Sequence, residues 1–175
     1  MEDKDQKLDA MISKHEINEV LMRYARGVDR ADQALLKSCY HGDAIEEHGS
    51  TYDGPAHDYI DGAIERIRSM GTMCHYLCNV HIELNGDTAY SEAYVLTFAR
   101  FNNAGNPVDT LTGGRLCDRF ERRRGVWKIA HRKLAFDWNR DMPMQESWCL
   151  GLFNPDDPKM VMGSKDQQDP SYQRF

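Results

Sequence analysis

Apolar residues recur at three- and four-residue intervals near the start of the chain: Leu8, Ile12, Ile17, Val20, Leu21, Tyr24 and Val28. That spacing lays a single stripe along a helix and predicts an amphipathic helix over 8–28. Gly27 reads as its stop signal, although Val28 prolongs the stripe. Asp32 is placed to cap a second, short helix whose apolar face carries Leu35, Leu36 and Cys39. Residues 44–52 read as extended, and Tyr52-Asp53-Gly54-Pro55 as a turn. A third helix is predicted over 56–69, with Tyr59, Ile60, Ala63, Ile64 and Ile67 inward.

From residue 72 the pattern turns to strands. Asn85-Gly86 lies between two extended runs and is the strongest hairpin signal in the chain. Asn102–Pro107 and Arg123-Arg124-Gly125 mark two further reversals. Four long strands are therefore expected at 72–84, 88–101, 108–122 and 126–138, running as an antiparallel meander. Gly113-Gly114 falls inside the third, where a bend or bulge would curve the sheet. Helices followed by a meander make an α+β fold. The expected architecture is a cone-shaped α+β barrel, with three N-terminal helices on a strongly curved, mainly antiparallel sheet. Such a cone encloses a cavity suited to a small molecule. Residues 1–140 form the domain; 141–175 hold four of the prolines and little periodicity. This segment reads as an irregular tail packed on the domain or on a neighbouring subunit.

Composition narrows the functional classes. With 175 residues there is room for one domain and a real core, and 41% hydrophobic against 29% charged residues is the profile of a folded chain. The formal charge of −6 disfavours nucleic acid or an anionic membrane as partner. No apolar run reaches the ~20 residues of a membrane span, and no apolar signal region follows the charged N-terminus, so a cytoplasmic protein is expected. Five cysteines without a tight pair pattern read as free thiols. The arginine cluster Arg119, Arg122, Arg123 and Arg124 reads as a solvated hairpin end balanced by Asp118 and Glu121.

Three motifs carry a family resemblance: Tyr24-Ala25-Arg26-Gly27-Val28-Asp29 at the end of the first helix, His75-Tyr76-Leu77-Cys78-Asn79 on the first long strand, and Gly125-Val126-Trp127-Lys128-Ile129 opening the last. Over residues 10–140 the chain resembles the SnoaL-like branch of the nuclear transport factor 2-like superfamily. The glycine–tryptophan element supports the fold only. Asp29 and His75 match the catalytic dyad of hexachlorocyclohexane dehydrochlorinase, scytalone dehydratase and bile-acid 7α-dehydratase. Tyr24 matches the active-site tyrosine of the last. The tail after Asp141 has no counterpart in those enzymes.

The resemblance implies a cofactor-independent lyase of dehydratase type, acting on a small hydrophobic, aromatic or alicyclic substrate. Dimers or trimers are common in the family, and an open curved sheet leaves an outer face to cover. A carboxylate hydrogen-bonded to one ring nitrogen fixes the histidine tautomer and stabilises the imidazolium formed on proton abstraction. His75 would be the general base, Asp29 its orienting partner, and Tyr24 a donor to a leaving hydroxyl or a carbonyl. Structural readings stand beside these: Asp29 as a helix cap, His75 as a satisfied strand histidine, Tyr24 as a core aromatic. If no bulge intervenes, Asn79 shares the His75 face and lies at the cavity mouth. Arg132 would bind an anionic substrate or pair with a carboxylate in the sheet. No metal is expected: His75 and His81 lie ~20 Å apart along a strand, and His41 and His48 lack a clear third ligand. The competing functions are carbon–carbon cleavage of retro-aldol type, isomerase or cyclase work in the same pocket, and a ligand-binding module without chemistry.

Overall fold

The computed structural model describes residues 3–173. Helix α1 spans Lys4–Asp29 and α2 Gln33–Ser38; β1 (Tyr40–Glu47) and β2 (Asp53–Pro55) lead into α3 (Ala56–Ser69). The meander follows as β3 (Met73–Asn85), β4 (Thr88–Asn103), β5 (Asn106–Arg123) and β6 (Val126–Pro143). One sheet of six strands results, in the order β2-β1-β6-β5-β4-β3. The meander is antiparallel throughout, as its hairpin signals require. Strand β1 joins its far edge parallel to β6, with Tyr40 beside Ile129 and Glu46 beside Arg132. The sheet curves without closing and the helices pack on one face, which gives the α+β cone expected above.

Of the predicted stripe on α1, Leu8 and Ile12, near the start of the helix, are exposed, whereas Ile17, Val20, Leu21, Tyr24 and Val28 face the sheet. They meet Phe120 of β5, Trp127 and Ile129 of β6, and Ile60 and Ile64 of α3 in a single core. Each such side chain, fully buried, contributes about 1.5–3 kcal/mol. The helix does not stop at Gly27 but runs on to Asp29. The glycine serves packing instead: a Cβ there would lie 2.9 Å from Leu36 Cγ, so its absence lets α2 cross close by. Asp32 caps α2, accepting from the Leu35 N–H at 3.0 Å.

Bulges set the curvature. The β5–β6 register slips between Gly113 and Gly114. A Cβ on Gly114 would sit 2.6 Å from the Ala135 carbonyl oxygen, and one on Gly113 would strike the Trp138 ring. Another slip, between Leu77 and Val80, interrupts β3. The tail returns to the domain. The guanidinium of Arg26 donates to the Ser171 carbonyl at 3.1 Å, and the Tyr172 hydroxyl donates to Asp32 at 2.7 Å. No helix among the described residues is long and apolar enough to cross a membrane.

Candidate active site

Asp29 ends α1, and His75 is the third residue of β3. The carboxylate of Asp29 accepts the His75 backbone N–H at 3.0 and 3.1 Å and the ring Nδ1–H at 2.7 Å. One side chain thus ties the helix end to the strand and fixes the imidazole tautomer. Nε2 is left without a protein partner among the described residues. Both side chains are mostly buried, at 15% and 16% exposure.

His75 contributes to the wall of a cavity of about 420 Å3 between the helices and the sheet. Val28, Leu36, Ile60, Val95, Leu116 and Leu134 give the wall its apolar character. Phe101 and Phe136 stand at its rim, both exposed. Tyr24 also lines it. Burial pushes the Tyr24 phenol far above the usual tyrosine range, against the opposing pull of Arg132. It is a neutral hydrogen-bond donor at any physiological pH. A larger hollow, about 520 Å3, lies on the sheet's outer face among His81, Glu83, Glu92, Arg119, His131 and Lys133. It holds no part of the dyad, and Glu47 is already paired with His131 and Lys133 there.

Two expected binding residues do not reach the cavity. Asn79 falls in the β3 bulge and is exposed. Three steps on β3, from Leu77 to Val80, match two on β4, from Val95 to Ala93, so the alternation of faces breaks there. Val80, Ile82 and Leu84 then turn toward the core in place of Asn79 and His81. Arg132 is fully buried and absent from the cavity wall. Its guanidinium grips Asp118 through two hydrogen bonds, at 2.7 and 2.6 Å, and donates to the Tyr40 hydroxyl at 3.2 Å. It also stacks 3.9 Å from the Tyr24 ring centre. Burial opposes its charge, but the facing Asp118 carboxylate holds its pKa well above the usual value. Of the two readings, the carboxylate within the sheet is the one realised.

The sequence reading missed three polar residues at this cavity. The Nε2–H of His48 donates to Glu46 at 2.7 Å, and the Tyr59 hydroxyl donates to His48 Nδ1 at 3.2 Å. His48 and Tyr59 line the cavity, and Glu46 is buried behind them with its Oε2 unpartnered. The readable signal was the two-residue spacing of Glu46 and His48 along a strand, which puts both on one face. Away from the cavity wall, Lys165 of the tail donates its ammonium to the carbonyls of Ile67 and Met70 at 2.9 and 3.2 Å. Among the described residues no group of three histidine, cysteine or carboxylate side chains is arranged to hold a metal ion.

The model of the SnoaL-like domain matches residues 9–133. No curated protein matches the chain. Among solved structures, a type 2 hexachlorocyclohexane dehydrochlorinase (LinA) superposes with a TM-score of 0.70 at 20% identity, covering 86% of this chain and 99% of that one. A protein of Novosphingobium aromaticivorans DSM 12444, provisionally named a scytalone dehydratase, gives 0.68 at 17% identity, covering 78% and 91%. A type 3 dehydrochlorinase of Novosphingobium barchaimii LL02 gives 0.66 at 23% identity, covering 78% and 94%. At these identities the likeness is one of fold.

Proposed function

The chain belongs to the SnoaL-like family, and on that footing we propose that it is a cofactor-independent lyase that eliminates water from a small hydrophobic substrate. The observation that carries this reading is the 2.7 Å Asp29–His75 hydrogen bond with His75 on the wall of an apolar cavity. With Asp29 on Nδ1–H, the Nε2 lone pair is the free base. It removes a proton from the carbon next to a carbonyl, and Asp29 stabilises the imidazolium that forms. Tyr24 donates its hydrogen bond to the carbonyl oxygen as negative charge develops there. The hydroxyl on the next carbon then departs. Exclusion of water from the apolar cone strengthens each of these few polar contacts. Similarity to structures named for a dehydrochlorinase and a dehydratase supports elimination as the reaction type. The volume suits a single aromatic or alicyclic ring with a short side chain.

Two probes test this: 4-hydroxy-4-phenylbutan-2-one and 3-hydroxycyclohexanone, each incubated with the protein in deuterated water. Elimination yields benzalacetone or cyclohexenone, read by ultraviolet absorbance. Retro-aldol cleavage of the first would release benzaldehyde instead. Isomerase-type proton shuttling would show deuterium uptake at the carbon between carbonyl and carbinol without elimination. The expected result is enone formation and deuterium uptake that both vanish in His75→Ala. Benzaldehyde as the product, or neither elimination nor exchange above background with either probe, overturns the dehydratase reading.

A further inference from the structure

The cavity holds a second histidine–carboxylate pair, and its hydrogen bonds run in a different sense from the first. At His75 the carboxylate takes Nδ1–H and leaves Nε2 facing the cavity. At His48 the carboxylate of Glu46 takes Nε2–H, and Nδ1 meets a phenol. That phenol, Tyr59, sits on α3, lines the cavity, and packs its ring 4.4 Å from the His48 ring centre. Tyr52 closes the other side at 5.0 Å. Glu46 is 1% exposed, and its Oε2 has no partner. A buried carboxylate left half satisfied is costly unless a cation stands next to it. Burial pushes the Tyr59 phenol up to about 12, Glu46 adds to the rise, and Arg66 opposes it from the cavity rim. Arg66 makes no ion pair among the described residues, so its charge is free to face the phenol oxygen.

We propose that Tyr59, supplied with protons by His48 and held in place through Glu46, is the acid that protonates the leaving oxygen in the elimination begun by His75. The inference rests on the lyase reading above. In the reactive form His48 is an imidazolium, with Nε2–H on Glu46 and Nδ1–H on the Tyr59 oxygen. His75 Nε2 takes the proton from carbon, and that bond's electron pair moves toward the carbonyl to give an enolate, whose collapse forms the new carbon–carbon double bond. The carbon–oxygen bond breaks with its pair on oxygen, which takes the Tyr59 proton and leaves as water. Tyr59 regains a proton from His48 Nδ1. His48 ends neutral and His75 ends as an imidazolium on Asp29. One proton lost to solvent at His75 and one gained at His48 restore the start, so the substrate loses one water and nothing else changes. Arg66 offsets the partial negative charge on the phenol oxygen during transfer. Of these three residues Tyr59 alone touches the substrate; His48 and Glu46 act through it as positioning residues.

Two measurements on the full chain test this. The first needs no substrate: nitrogen-15 spectra of histidine-labelled protein at a pH where the rings are neutral. His48 should be protonated at Nε2 and His75 at Nδ1, and Tyr59→Phe should move the His48 Nδ1 signal while leaving His75 unchanged. A His48 protonated at Nδ1, or indifferent to Tyr59→Phe, overturns the relay. The second uses the two hydroxyketones in deuterated water. Tyr59→Phe should cut elimination about 100-fold or more while deuterium uptake stays within about threefold of the native rate. His48→Gln should cut elimination in the same way, by removing the proton supply. His75→Ala should abolish both processes. Elimination at the native rate in Tyr59→Phe, or equal loss of elimination and exchange, refutes the acid role and leaves the lyase reading standing. Native protein inert to both probes refutes the lyase reading itself, and the relay with it.

Discussion

Replacing Arg132 by methionine should destabilise the protein more than any other single change to a charged residue of the sheet. The side chains of Arg132 and Asp118 are both 0% exposed. The substitution removes two charge-assisted hydrogen bonds to Asp118, a third to Tyr40, and the stacking of a cation against Tyr24. Its largest effect is what it leaves behind, a carboxylate sealed in the core with no cation. Breaking a buried pair in this way costs about 3–5 kcal/mol, a large part of the ~5–15 kcal/mol that holds a domain together. With a urea slope of about 2 kcal/mol per molar, the midpoint should fall by about 2 M. Urea titration followed by far-ultraviolet circular dichroism measures this. The control is Arg132→Met with Asp118→Leu, which removes both charges and should recover most of the loss, since a well-packed apolar pair can replace a buried ionic one. Arg132→Lys should recover little, because an ammonium cannot form the two-pronged contact or stack on the phenol. A cost below ~1 kcal/mol for the single variant, or a double variant weaker still by a full increment, would refute the view that Arg132 is a structural cation behind the cavity wall.

Gly27→Ala sets two effects against each other: alanine gains up to about 1 kcal/mol of helix propensity, but its Cβ would press on Leu36 Cγ at 2.9 Å and on the Leu36 backbone nitrogen at 3.2 Å. Leu36 is buried and cannot swing away, so overpacking of about 1–3 kcal/mol should win and thermal unfolding should come at lower temperature; a rise in Tm would show that α2 yields freely. Asp169 should make tail docking sensitive to acid. Burial opposes ionisation of its carboxyl, but hydrogen bonds from the Ser171 hydroxyl and from the amides of Ser164 and Ser171, with Arg30 alongside, hold its pKa far below the usual range. Because the folded value is depressed, this stability is present above the unfolded carboxyl value of ~3.9 and is lost as pH falls through the folded one. The Ser164 and Ser171 amide resonances should therefore hold from pH 8 to 5 and shift only in stronger acid. Asp169→Asn should shift them already at pH 7, and unchanged amides in that variant would remove Asp169 as the anchor.

The parts of the fold that were legible are those whose signals are local. The α1 stripe from Ile17 to Val28, the Asp32 cap and the Asn85-Gly86 turn each specify their geometry within a few residues, and all three are realised. The parts that were not legible depend on partners far away in the chain. Gly27 resembles a helix stop until Leu36 is known to lie against it. Residues 40–47 form the strand expected at 44–52 because the parallel pairing with β6 sets where β1 begins. The β3 bulge has no glycine to announce it, and by inserting one residue it turned Asn79 out of the face assigned to it by strict alternation. Arg132 was legible as a charge and not as a buried one, since Asp118 reaches it only through the β5–β6 register.

The same distinction separates the two histidine pairs of the cavity. Asp29 and His75 are 46 positions apart, so nothing in their local sequence joins them; family resemblance was the sole signal. Their hydrogen bond exists because the end of α1 packs against the start of β3, and the His75 backbone amide shares the same carboxylate. Any change that shifts the helix end should loosen ring and backbone together. Glu46 lies in β1 and His48 one residue beyond its end, only two positions apart, so they stay paired as long as that end of β1 holds its course. Their pairing is local, whereas their access to the cavity depends on α3, which brings Tyr59 over them. Displacing α3 would therefore part the phenol from His48 without undoing the histidine–carboxylate contact, while displacing α1 would undo the contact at His75 itself. Perturbing one helix at a time thus separates the two sets of hydrogen bonds.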